Sequence, residues 1–182
     1  ISKIFSIYIH GTAFHMESLD LKLTIQDMHG NVWINAIPVI VQGPYLIITD
    51  YIENIHPGSH NTLAIDMANV GSNKIENYSL ELLPYENFTT MFASTSYIDE
   101  LFVGENIYID DFQISFSPDI INGTVLPLDL LITSSDGFSR LEVINVMVGE
   151  VRESDPLGPD PHGYYIYDSG DLDYDLVPQY DW

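Results

Sequence analysis

The chain repeats itself at an offset of 107 residues. Leu19, Leu21, Leu23 and Ile25 recur as Leu126, Leu128, Leu130 and Ile132, and Ile37, Val39 and Val41 recur as Ile144, Val146 and Val148. Gly30, in the turn cluster Asp27-Met28-His29-Gly30-Asn31, falls on Gly137, and Phe5 and Ile7 fall on Phe112 and Ile114. The match needs no gap. Within each copy, apolar and polar residues alternate with period two, the pattern of a strand with one buried face. Two such runs around a glycine-bearing turn form a β-hairpin. Alternating runs also occupy Ile4–Ile9, Leu63–Ala68, Tyr78–Leu83 and Ile107–Phe116. Clusters such as His56-Pro57-Gly58, Asn69-Val70-Gly71-Ser72-Asn73 and Ser117-Pro118-Asp119 separate them. No helical period of useful length competes. The expected fold is all-β: an Ig-like antiparallel β-sandwich with extra N-terminal strands and an irregular acidic C-terminal segment.

The offset sets the expected boundaries. Residues 43–149 form one full sandwich, starting at Gly43-Pro44. Residues 1–42 are the terminal strands of a preceding Ig-like repeat, and residues 150–182 are an acidic Tyr/Pro-rich connector. The expected core contains Leu63, Ile65, Leu80, Leu82, Phe112, Ile114, Leu128, Leu130, Ile132, Val146 and Val148. Half a sandwich cannot bury its own inner face. Phe5, Ile7 and Ile9, with the apolar residues of 19–41, therefore need a partner: the full domain, the connector, or another chain through strand addition.

Composition narrows the function. Five Lys and Arg stand against 27 Asp and Glu, a formal charge of -22. This excludes a nucleic-acid binder, which needs a basic face, and argues against docking on anionic lipid. With 46% hydrophobic residues the acidity does not signal disorder. There is no cysteine, hence no disulfide, zinc-thiolate site or cysteine nucleophile. No apolar run has the length of a membrane-spanning helix, so no membrane insertion is expected. The chain opens on Ile1 with no visible signal peptide, which suggests a processed product or a piece of a longer precursor.

The chemistry-bearing residues are sparse in pattern. Asp168, Asp171, Asp173 and Asp175 crowd together, and a cation would relieve their repulsion. They are candidate Ca²⁺ ligands, and Ca²⁺ is the one cofactor considered. The run lacks the Gly and Glu of an EF-hand. His10, His15, His29, His56, His60 and His162 have no metal-site spacing. There is no nucleophile elbow or phosphate-binding glycine loop. An acidic chain supplies carboxylate pairs of the kind glycosidases use, but the sequence singles none out, and no enzyme is expected. Asn77, Asn87 and Asn122 head sequons and are candidate glycosylation sites. Tyr164, Tyr165, Tyr167, Tyr174, Tyr180 and Trp182 are dense enough in the connector to serve as docking residues, since aromatics are costly to leave in water.

Two segments resemble known families. Pro57-Gly58, Leu63-Ala64-Ile65, Asn69-Val70-Gly71, Gly104 and the hairpin around Gly137 resemble CARDB-like or Ig-like repeats of large secreted prokaryotic surface proteins. Asp155-Pro156-Leu157-Gly158-Pro159-Asp160, Gly163-Tyr164-Tyr165-Ile166-Tyr167-Asp168, Asp171, Tyr174, Pro178, Tyr180 and Trp182 resemble a connector of multidomain secreted proteins, gingipain-like peptidase precursors among them. The peptidase's Cys and His pair does not carry over, because Cys is absent. The resembled connector continues past its Trp, so this chain reads either as an excised part or as a subunit completed by its neighbours. The resemblance implies an extracellular or cell-surface structural module. The expected role is a subunit of a homopolymeric surface fibre, built by strand completion and connector docking. The alternative is an accessory module binding carbohydrate or a cell surface beside a secreted enzyme, for which Tyr45, Tyr97 or Tyr108 would have to form an exposed platform.

Overall fold

The computed structural model describes residues 4, 6, 7, 9, 15–51, 55–85 and 88–174. Ten strands follow one another: β1 (Ser18–Gln26), β2 (Val32–Ile40), β3 (Leu46–Tyr51), β4 (His60–Asn69), β5 (Ile75–Leu83), β6 (Thr89–Ala93), β7 (Thr95–Leu101), β8 (Asn106–Phe116), β9 (Thr124–Ser134) and β10 (Ser139–Val148). No α-helix occurs among the described residues. Strands β3 to β10 make two four-stranded antiparallel sheets, ordered β10-β9-β5-β7 and β3-β4-β8-β6. Their inner faces close on one core, and all eleven expected core residues are buried in it. Burial of alternate apolar residues from both sheets is what a sandwich requires.

Alternation breaks where the backbone bulges. On β8 the inward residues are Ile109, Phe112, Ile114 and Phe116, with a step of three between the first two. The β4–β8 register shifts between Leu63 and Ile65 to absorb it. The bulge leaves Asp110 and Asp111 both exposed, where strict alternation would have turned one inward. Strands β6 and β7 carry no turn cluster between them because the chain crosses from one sheet to the other at Ser94.

β1 and β2 form a separate two-stranded sheet, and this hairpin reproduces β9–β10. Leu19 pairs with Val39 and Leu21 with Ile37; 107 residues on, Leu126 pairs with Val146 and Leu128 with Ile144. The turns match as well. Gly30 N donates to Asp27 O and Gly137 N to Ser134 O, both at 3.2 Å, while Asp27 N donates to Asn31 O and Ser134 N to Phe138 O, both at 3.0 Å. At the open end, Met16 N donates to Val41 O and Gly123 N to Val148 O, both at 2.8 Å. Met16 has φ 65° where Gly123 has 84°, so the left-handed backbone is demanded at this position even without glycine.

The described residues of the first expected strand are in no strand. Ile4, Ser6, Ile7 and Ile9 lie outside any strand, and Phe5 is outside the described residues. Their counterparts on β8 are held by ladders to β4 and β6. Among the described residues, no strand pairs with Ile4, Ser6, Ile7 or Ile9.

The two hairpins therefore predict unequal mutational costs. Leu130→Ala, at a fully buried site, should lower unfolding free energy by about 2–5 kcal/mol. Leu23→Ala, at the equivalent partly exposed site, should cost less than about 1 kcal/mol. Denaturant unfolding of the two variants checks the contrast.

Candidate functional site: the hairpin and the clasps at the hairpin bases

Among the described residues, no sheet covers the apolar inner face of β1–β2. It presents Leu19, Leu21, Leu23 and Ile25 beside Val39, Ile37 and Trp33. Ile25, Ile37 and Trp33 remain 51%, 41% and 54% exposed, whereas Ile132, Ile144 and Arg140 at the equivalent positions are 0%, 1% and 9% exposed. The opposite face behaves differently. Ile34 and Ile40 are exposed, but so are their counterparts Leu141 and Met147 in the complete domain.

The base of this hairpin is seated on the sandwich. His15 Nδ1 accepts from Gly43 N at 3.3 Å, and its ring stacks on Tyr45 with centroids 5.9 Å apart. The socket is the Asn69-Val70-Gly71 turn. Asn69 is fully buried; its Nδ2 donates to Asn73 O and Leu101 O, and its Oδ1 accepts from Gly71 N and Tyr45 N. Ser72 N donates to Gly43 O. A Cβ on Gly71 would lie 2.4 Å from both Gly43 O and Tyr45 N, so only glycine admits this approach.

The position 107 residues after His15 is Asn122, and it too contacts the segment after its hairpin, though as a donor to a carboxylate where His15 accepts from a backbone amide. Asn122 Nδ2 donates to both oxygens of Asp155, at 3.1 and 3.3 Å. Asp155 is buried and also accepts from Tyr174 Oη at 2.7 Å and Arg152 N at 2.5 Å. Thr124 Oγ1 and Tyr165 Oη share a hydrogen bond of 2.6 Å. Here too close approach excludes side chains: a Cβ on Gly149 would meet Asn122, and one on Gly123 would meet Val151. Burial pushes the Asp155 carboxyl up, but the hydrogen bonds from Tyr174, Arg152 N and Asn122 outweigh it and hold the group below the usual carboxylate range. Burial, reinforced by the bond to Asp155, pushes the Tyr174 hydroxyl up to about 12.

Beyond the clasp, the connector folds on itself. Leu157 and Ile166 exchange backbone hydrogen bonds at 2.9 Å across the turn at Asp160 to Gly163, whose amides at His162 and Tyr164 donate to Asp160 Oδ1. Tyr165, Tyr167 and Tyr174 are half-buried, with Tyr167 edge-on to Tyr174. Tyr164 is exposed. Tyr180 and Trp182 are outside the described residues.

Three of the four predicted metal ligands lie among the described residues. Asp171 is buried and accepts from Asp168 N, while Asp168 Oδ1 accepts from Gly170 N, both at 2.6 Å. Asp173 is exposed and Asp175 is outside the described residues. Among the described residues no three His, Asp or Glu side chains could hold an ion. Of the sequons, Asn77 is exposed on β5, Asn87 is outside the described residues, and Asn122 has its amide engaged by Asp155. Tyr97 and Tyr108 are exposed but belong to different sheets, and Tyr45 lies between His15 and the Arg140 guanidinium, 4.7 Å from its ring. The three make no common platform. Sequence reading missed the roles of His15 and Asn122, although the same offset of 107 aligns them. No family model matches the chain, and no curated protein matches it at significant similarity.

The clasp predicts acid release. Asp155 has a depressed folded-state pKa, so its contribution is present above the unfolded value of about 3.9 and is lost as pH falls through the folded value. Asp155→Ala should speed amide exchange across 150–174 roughly 10- to 100-fold at neutral pH while leaving β3–β10 unchanged. Hydrogen exchange of wild type and variant between pH 3 and 7 measures both effects.

Proposed function

We propose that this chain is a non-enzymatic structural module of an extracellular surface assembly, a unit in a fibre of Ig-like repeats. The observation that carries the reading is the shared offset of the two hairpins in register, turn and base. Each hairpin base seats the segment that follows it: His15 seats the start of the sandwich, and Asn122 seats the connector. Such clasps set the orientation of successive units, which is what a load-bearing array needs. The likeness to repeats and connectors of secreted surface proteins supports the location, and the charge of -22 supports fibres that stay apart in solution.

Homopolymerisation is part of this reading, with the connector docking on a neighbouring copy as the contact surface. Negative-stain electron microscopy of the natively isolated protein should show filaments of sandwich-sized beads. Repeating the microscopy in a calcium chelator checks the acidic connector: loss of the filaments would place Ca²⁺ among Asp168, Asp171, Asp173 and Asp175. Monodisperse single particles at all concentrations would overturn the fibre.

A further inference from the structure

The complete domain shows what covers a hairpin of this kind. The free edge of β9 pairs with β5, with Leu130 opposite Leu82 and Leu131 opposite Glu81. Its inner face closes on the sheet β3-β4-β8-β6. β1 has the same edge, the same apolar face and the same turn, and β5 of this chain is already paired on both sides, to β9 and β7. A second copy of the chain therefore offers neither a free β5 nor an open core.

Resting on the module reading above, we propose that the inner face of β1–β2 is the docking surface for an Ig-like segment that lacks its own closing hairpin. That segment has the pattern of residues 43–121. It places a β5-type strand along β1 so that Leu23 faces the Leu82 position and Thr24 the Glu81 position. Docking covers Leu19, Leu21, Leu23, Ile25, Ile37 and Trp33. It leaves Ile34 and Ile40 in solvent, as Leu141 and Met147 are in the complete domain.

The test adds a copy of residues 43–121 directly in front of His15 of the remaining chain, a junction that reproduces the natural step from Ile121 to Asn122. With no native cysteine, Thr24→Cys can be paired with Glu81→Cys in the added copy, and with Ser79→Cys as a control two residues out of register. Trp182→Phe leaves Trp33 as the sole tryptophan of the original chain. The expected result is oxidative cross-linking of Thr24→Cys to Glu81→Cys and not to Ser79→Cys. Iodide quenching of Trp33 should fall several-fold relative to the chain without the addition, and Leu23→Asp should abolish both effects.

Equal cross-linking at both positions, or none, overturns the proposal. So does undiminished quenching of Trp33 while hydrogen exchange shows β3–β10 intact, because the added segment has no closing hairpin of its own except β1–β2. A Trp33 already shielded in the unextended chain, with sedimentation as a dimer that Leu23→Asp dissolves, overturns it in favour of two hairpins packed face to face. Absence of filaments in the microscope together with the predicted cross-link would reject the fibre and keep the docking surface.

Discussion

A two-stranded sheet has two faces and no second layer, and this one constraint organises the molecule. Burial of apolar area is worth roughly 25 cal/mol per Å², which β9–β10 collect against the opposing sheet and β5, while among the described residues β1–β2 do not. The hairpin still forms, because its strand ladder and turn are local. Asp27 accepts from His29 N and Asn31 N, and hydrogen bonding to Asn31 holds its carboxyl below the usual range. Local hydrogen bonds thus fix the register before any sheet arrives. The apolar face is presented in a defined pattern instead of collapsing onto whatever is nearest.

The junctions follow a second rule, that segments entering or leaving a sandwich need backbone-to-backbone proximity. Gly71 admits Gly43 and Tyr45, and Gly149 and Gly123 admit the Asn122 side chain and Val151. Each junction then uses one polar side chain to satisfy the amides or carboxylates left at the end of the ladder, as buried polar groups demand. Asn69 does this within the domain, His15 before it and Asn122 after it. Polar clasps of this type join segments without extending the apolar core across the junction.

Much of this was legible in the residues and some was not, for physical reasons. Strand faces such as Leu126 to Ile132 announce themselves because burial is one-sided and alternation survives. The repeat was legible because register, turn glycine and apolar face must agree together. β6 and β7 were not legible, since a strand pair that changes sheet at Ser94 needs no turn residues. Residues 4–9 misled because alternation records a capacity to pair and is silent about whether a ladder is present. The aspartates at 168 to 173 are ambiguous in sequence because proximity does not separate carboxylates that gather round an ion from carboxylates that cap turns; Asp168 and Asp171 each accept from a backbone amide. In the connector Tyr165, Tyr167 and Tyr174 are half-buried, and the Asp155 carboxylate that holds Tyr174 was not singled out as an anchor by the sequence.

Two hairpins of one template in one chain invite exchange, since either could close the same sandwich. The position that separates them is the inner-face residue next to the turn. In the complete domain it is Arg140, which donates to the Leu46 carbonyl, lies over Tyr45 and has its Nε 2.8 Å from Glu142 Oε1, a contact misaligned for a hydrogen bond. In the open hairpin it is Trp33, with Asn35 where Glu142 stands. Seating β1–β2 in the domain's own core would put an indole where a cation meets a carbonyl and leave the Leu46 oxygen without that donor. Loss of a buried partner costs about 1–3 kcal/mol, on the scale that decides between alternative pairings. Shared backbone geometry makes the hairpins equivalent as structures, and one substituted inner-face pair makes them distinct as ligands for their sheets.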